Sequence, residues 1–555
     1  MGTLVSTLWP SIDAACGMQQ SSPPLLRLVE QNSVLVQDSL FPLLRDFRDL
    51  VALSQACRLL NQLVTSELVW RRKVETEFHL PAYFPVSESA KELGWRGLYR
   101  QLALTKLFVW GHNANGRFGS LAPGSEIIDR PITMAKPATF VQVFAGPWSF
   151  HALDTYGNVW YWGALDGENE ATSFGIDRPR QFTLPSQAHP MVTLASGRTH
   201  GLALDTAGAL FEWYSWDEIP YEVRYQREQL GSAADADDGG HDTIVAVCAG
   251  WDTSAVLTNQ GHVYVWGKPK SGDLETVSSS DHSTFSPFAL RLTIPDDHVT
   301  PAATFSNSSR NGPDQRLESF ISVACGKDFI VGLSKSGRIF KSNIVTEPTF
   351  SLSAPVRIGV PDDVQLTSLS AHHSRWAAWS RPVSGVDAAT AGSIILGRVG
   401  GGEDGWQERF DELTGSDITK ITLGDDHFGA LTNSGDLYVW GDHYSRGALG
   451  FGNDFFWGIR NPRKLEFPQS RHEQHRVLDI SFAGNHSSAL VVTLSKKSEQ
   501  AEAEDASEPE PEPEGEEPVT STQRTRRVWE RFGRGGLALE GPGGDSVRLH
   551  PQPQM

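Results

Sequence analysis

A glycine, an apolar strand and a second glycine 11 positions later recur five times in this chain: Gly146 to Gly157, Gly197 to Gly208, Gly250 to Gly261, Gly326 to Gly337 and Gly424 to Gly435. No other feature constrains the fold as much. Each second glycine closes a turn such as Asp154-Thr155-Tyr156-Gly157, and the strand that follows usually ends in Trp-Gly, as at Trp162-Gly163, Trp266-Gly267 and Trp440-Gly441. Apolar strands joined by a turn whose glycine can take φ > 0 make a β-hairpin. Copies at a constant internal spacing mark a repeat architecture, in which each unit needs its neighbours to bury its apolar face. The tryptophan is then expected to fill the space between adjacent sheets, and the glycine beside it to let the chain pass close by.

Two weaker units extend the series. Ala371 stands where the first glycine is expected, with Pro382 at the turn position, and Gly484 opens a last copy that runs into the tail. The positions 146, 197, 250, 326, 371, 424 and 484 give seven units of 45–76 residues. Seven small sheets arranged radially form a mainly β, seven-bladed propeller, which protects most sheet edges. Trp110-Gly111 ends a strand upstream of the first full unit, while the last unit lacks its second hairpin. The first strand is therefore expected to complete the last blade and close the ring without a covalent bond. Tyr214 replaces the glycine after Trp213, and the stretch Ile339-Phe340-Lys341-Ser342-Asn343 lacks Trp and Gly. Insertions at Gly231–Asp242 and Lys268–Arg316 are Ser/Asp/Gly-rich. They are expected to carry no packed core, and the longer one is a candidate for partner recognition.

Trp110-Gly111-His112-Asn113-Ala114-Asn115-Gly116-Arg117-Phe118-Gly119 and Leu194-Ala195-Ser196-Gly197-Arg198-Thr199-His200-Gly201-Leu202-Ala203-Leu204 resemble the two halves of the repeat of the regulator of chromosome condensation family. The resemblance spans about residues 107–492. It implies a propeller whose structural residues include Trp110, Gly111, Gly146, Trp162, Gly163, Gly197, Gly250, Trp266, Gly267, Gly326, Gly424, Trp440, Gly441 and Gly484. Guanine-nucleotide exchange on a small GTPase is the activity of that family's founding members.

Before residue 107 the period becomes helical. Leu50, Leu53, Cys57, Leu60 and Val64 share one face of a helix that starts near Asp49; Ser66 opens a second helix carrying Trp70, Val74 and Phe78; a third runs from Glu92 to Leu102. The run Arg48-Asp49-Leu50-Val51-Ala52-Leu53 through Leu63, with Leu68-Val69-Trp70-Arg71, resembles an F-box, although Leu28-Val29 replaces the usual opening Leu-Pro. The order F-box then propeller is similar to the fungal SCF-associated factor group. That resemblance implies a non-catalytic substrate receptor of a Skp–cullin–F-box ubiquitin ligase, binding a Skp-type adaptor, a cullin scaffold and a protein substrate. Leu40, Phe41, Pro42, Leu50, Leu53 and Trp70 would be its adaptor-binding residues. Nucleotide exchange and a plain scaffold propeller are the alternatives.

The expected organisation is thus a disordered stretch 1–27, an F-box-like helical domain 28–80, a helical linker 81–106, a propeller 107–495 and a disordered tail 496–555. In the tail, ten acidic residues between Glu499 and Glu517 precede a basic, aromatic end at 524–536. A net charge of −19 argues against general nucleic-acid binding. No run of about 18 apolar residues is present, so no membrane association is expected, and the protein is placed in the cytoplasm, the nucleus or both. Cys16, Cys57, Cys248 and Cys325 are far apart in sequence without a CxxC pair, so neither a disulfide nor a metal site is expected. His200, His427 and His486 fall in the repeat and read as structural, and no catalytic motif or cofactor-binding loop is found.

Overall fold

The computed structural model describes residues 47–495, except 79, 81–83, 120–125, 166–175, 225, 228–241, 270–273, 277–282, 286, 294–318, 347–348, 361–363, 381–392, 400–406, 411, 414–415, 443–446, 453–457 and 469–472, with a few positions between 29 and 44. Seven antiparallel-based sheets form a β-propeller. Their inner strands are Phe140–Ala145, Met191–Ser196, Ile244–Ala249, Phe320–Cys325, Ser368–His372, Ile418–Leu423 and Glu473–Ala483, in blades one to seven. Each touches the next around the ring, and the seventh touches the first. Blade seven is assembled from both ends of the propeller sequence: Lys106–His112 pairs with His486–Ser495, and Ile127–Met134 lies outside it. The closure expected from the unpaired first strand is therefore present, with two strands rather than one supplied from upstream.

The two glycine classes do different work. Turn glycines such as Gly157 and Gly435 have φ of 74° and 79°, the left-handed region where a side chain is strained. The first glycines sit where adjacent blades meet: a Cβ on Gly250 would lie 2.5 Å from the carbonyl oxygen of Gly326 in the next blade. The tryptophans seal the blades. Trp110, Trp162, Trp266 and Trp440 are fully buried or nearly so, and the indole N–H groups of Trp110 and Trp162 donate to the carbonyls of Ala448 and Arg117. Blade five has lost the tryptophan of its third strand, and Trp376 from the second strand fills the space over Gly397.

Two expectations need correction. Ala371 is not the counterpart of the repeat glycine. Lys327 N–H donates to the carbonyl of His373, as Arg198 N–H does to Gly250 and Asp425 N–H to Gly484. His373 therefore occupies the glycine's place, because blades five and seven both shorten this turn to two residues between paired strands. The Lys268–Arg316 insertion is not without structure either. Phe288–Arg291 is a strand of blade three beside Val263–Gly267, and Leu274–Thr276 with Ser283–Phe285 widens blade two. Phe285 and Ala289 are buried. A Ser/Asp/Gly-rich composition hid these short strands.

Among the described residues the helical segment includes four helices: α1 Phe47–Ala56, α2 Arg58–Val64, α3 Glu67–Glu77 and α4 Val86–Ala103. The single helix expected from Asp49 to Val64 breaks at Cys57, which is extended at φ −159° and ψ 165°. The third expected helix starts at Val86, earlier than Glu92, and kinks at Gly94. Lys73 and Glu77 form a buried ion pair; Lys73 Nζ also donates to the Leu44 carbonyl, and Tyr99 Oη donates to Glu77 at 2.7 Å. Burial outweighs the Lys73 charge and raises the Glu77 pKa above the usual carboxylate range.

The core of this segment is continuous with blades seven and one through Leu102, Leu107, Met134, Phe140, Leu478 and Val492. Thr139 Oγ1 donates to the Ala103 carbonyl at 3.2 Å, immediately before the first inner strand. The helices therefore meet the propeller at the end where that inner strand begins.

Candidate functional site at the channel mouth

All seven inner strands line a central channel with a cavity of about 250 Å³. At its far end, opposite the helices, the turn after each inner strand forms a rim: Trp148, Arg198, Trp251, Lys327, His373, Asp425 and Asn485 come from successive blades. Here the repeat leaves a free choice of side chain, since the glycine and the buried strand residues fix the backbone. The guanidinium of Arg198 stacks 4.9 Å from the ring of Trp148 and 3.9 Å from that of Trp251, and Lys327 Nζ lies 4.3 Å from Trp251. The His373 ring also approaches Trp251, at 5.0 Å between ring centroids. Cation–π contacts of this kind hold long cationic side chains in place at modest cost.

A second pocket at this mouth, also about 250 Å³, is bounded by His112, Arg117, Trp148, Arg198, Trp251 and Asp425 among others. Arg117 is almost wholly buried, donating to the carbonyls of Ala114 and Pro147 and to His486 Nδ1. Its pKa is lowered to about 10 by burial, against the pull of Asp425. Burial alone would raise the Asp425 carboxyl; the hydrogen bond from His372 at 3.1 Å and the charges of His372, His373 and His427 outweigh it, leaving the pKa below the ordinary value. Asp426 pairs with Arg375 at 3.0 Å. The rim is thus cationic and aromatic over blades two to five and acidic at blade six.

His373 is the one described non-glycine residue with positive φ, at 48°, close to the 50° of Gly484 in the equivalent turn. Strained backbone of this kind clusters at functional sites. A side chain is kept in a glycine's position, and it points at the rim. Sequence reasoning missed this residue because aligning the unit on Ala371 put His373 two residues after the expected glycine, at an ordinary turn position.

The residues named from sequence lie elsewhere. Phe41, Leu50 and Trp70 are 1%, 0% and 3% exposed, in the core of the helical segment, with Trp70 Nε1 donating to the Val64 carbonyl. As placed, these three hold the segment together and are not presented to a partner; Leu53 is half-buried, and Leu40 and Pro42 lie outside the described residues. Gly111, Gly163 and Gly441 sit where a Cβ would meet backbone of the adjacent rim turn, at Asn485, Trp148 and Asp426, and Gly267 faces the ring of Phe350. A groove of about 420 Å³ between blades five and six is lined by Arg375, Arg398, Arg460 and Trp440 among others. Among the described residues no helix is long and apolar enough to cross a membrane.

Residues 244–273, 418–446 and 434–490 match the regulator of chromosome condensation (RCC1) repeat. The chain carries RCC1 repeats. Among its relatives, the RCC1 domain-containing protein RUG3, mitochondrial, of Arabidopsis thaliana is 21% identical over 70% of this chain and 88% of that one. The human E3 ubiquitin-protein ligase HERC2 is 24% identical over 68% of this chain, a region that makes up 6% of HERC2. The mouse secretion-regulating guanine nucleotide exchange factor is 29% identical over 34% of this chain and 40% of that protein. The RCC1 repeats of these relatives therefore accompany more than one activity.

Proposed function

We propose that the chain is the substrate-receiving subunit of a ubiquitin ligase of the Skp–cullin–F-box kind, in which the helical segment docks a Skp-type adaptor and the channel mouth takes the target protein. It catalyses nothing itself. The observation that carries this reading is the decorated mouth, above all His373 held at positive φ where the repeat elsewhere has glycine. The helical segment lies at the opposite end of the channel, packed into one core with blades seven and one. An inner strand of six residues spans about 20 Å. Adaptor and target would be held a fixed distance apart by a rigid body, raising the effective concentration of the target near the transfer machinery.

A second reading, guanine-nucleotide exchange on a small GTPase, is favoured by the similarity to the secretion-regulating exchange factor. The two separate in one experiment on the full-length protein. Affinity purification should recover a Skp-type adaptor with wild type and with His373→Gly alike, while the target is recovered with wild type only. His373→Gly should melt no lower than wild type, since glycine relieves the strained turn. Acceleration of nucleotide release from a small GTPase, without adaptor recovery, would replace the first reading with the second.

A further inference from the structure

The four cysteines look unrelated in sequence, yet the fold brings two of them together. Cys248 lies next to the end of the inner strand of blade three and Cys325 ends that of blade four, and their sulfurs are 3.2 Å apart. Both are free thiols. Both border the central channel, so a small oxidant in the channel reaches them without unfolding the ring. Cys325 is buried within the cluster between the two blades, and Cys248 packs half-buried against that cluster.

We propose that Cys248 and Cys325 are an oxidative modification site, a dithiol that hydrogen peroxide or a related hydroperoxide converts to a disulfide joining blades three and four. Cys325 is the more deeply buried of the two, which leaves half-buried Cys248 to react first; the hydrogen bond to Cys248, followed by burial, also raises the Cys325 thiol well above its ordinary range. The Cys248 thiolate attacks one peroxide oxygen; the O–O bond breaks, giving a sulfenic acid at Cys248 and, with a proton, one water. The Cys325 sulfur then attacks the sulfenic sulfur and the S–S bond forms. The hydroxyl leaves with the Cys325 proton as a second water. Two thiols lose two electrons and two protons, and one peroxide becomes two waters.

The bond would close a loop spanning 77 positions, including the strands that widen blade two and complete blade three. A loop of this length constrains the unfolded chain strongly. The structural consequence is a second fastening of the ring, three blades away from the non-covalent one in blade seven.

The test uses the full-length protein, titrated with a few equivalents of hydrogen peroxide and then alkylated. Peptide mass spectrometry should show an intramolecular Cys248–Cys325 disulfide, reversed by dithiothreitol, while Cys57 stays alkylatable. The oxidised form should melt about 5 °C above the reduced form. Cys248→Ala and Cys325→Ala should show neither the cross-link nor the shift. Since the wild-type readout needs no mutant, a poorly folding variant does not blunt it. Two thiols that remain fully alkylatable, over-oxidation of Cys248 without a bond, or bonds only between molecules would each overturn the proposal.

Discussion

Acidification from pH 7 to pH 5 should destabilise the ring through its repeat histidines. His151, His200 and His427 are fully buried, each hydrogen-bonded to a serine hydroxyl: Ser196, Ser254 and Ser487. Burial lowers their pKa values to about 3, 4 and 4, from the ordinary 6.5. A histidine whose folded pKa is depressed contributes stability that is present above 6.5 and lost as pH falls toward the folded value. At pH 5 the unfolded chain holds protons that the folded ring refuses, and each of the three sites costs about 2 kcal/mol relative to pH 7. For a ring of this size the three together correspond to a drop of about 7 °C in melting temperature. His486, held well below its ordinary range by burial and then by the Arg117 charge, acts in the same direction. The discriminating variant is His427→Gln, which removes one titration. Whatever its stability at pH 7, its loss between pH 7 and pH 5 should be smaller than that of wild type by about 2 kcal/mol, or 2–3 °C. Scanning calorimetry at half-unit pH steps measures this. A variant whose melting temperature falls as steeply as wild type would refute the assignment.

Other groups give tests of the same fold. Glu212 is buried among Ser254, Trp266 and Tyr214 hydrogen-bond donors, and burial raises its pKa from 4.5 to about 7. Its contribution is present below pH 4.5 and lost as pH rises through 7, so Glu212→Gln should gain about 2.5 kcal/mol on wild type between pH 5 and pH 8, seen as about 3 °C in melting curves. Asp479 in blade seven accepts from the Val143 N–H of blade one at 2.9 Å and pairs with Lys420 of blade six at 2.7 Å. Asp479→Ala should cost about 3 kcal/mol and Asp479→Asn about half that, as read from the same thermal melts, because asparagine still accepts from the buried N–H.

The ring was legible because its signals are local and repeated. Turn glycines, Trp-Gly strand ends and an unpaired first strand each leave a mark within a dozen residues, and they define seven blades and their closure. What escaped depends on partners distant in sequence. Phe288–Arg291 becomes a strand only against Val263–Gly267 and Gln226–Arg227, and four residues give too short an alternation to register alone. Cys248 and Cys325 meet because consecutive inner strands are neighbours, a relation the intervening residues conceal. The resemblance to an F-box assigned Leu50, Phe41 and Trp70 to an adaptor, but apolar residues at such positions do not reveal whether the chain's own core covers them.

The division into helical domain, linker and propeller also dissolves for a physical reason. The expected linker 81–106 contains α4, whose Leu98 and Leu102 are fully buried in the core shared with blades seven and one. α4 runs through Leu104 and Thr105 directly into Lys106–His112, the strand that closes the ring. That strand pairs with His486–Ser495, which starts beside the rim residue Asn485 and also contacts α4. A single strand therefore connects the mouth to the helices through ladder hydrogen bonds and buried apolar contacts rather than through a tether. Such a path leaves no hinge between the two ends, so a partner on the helices and one at the mouth would share a fixed geometry. The seam that closes the ring is also the joint that fixes this geometry, and that is why the helices dock on blades seven and one.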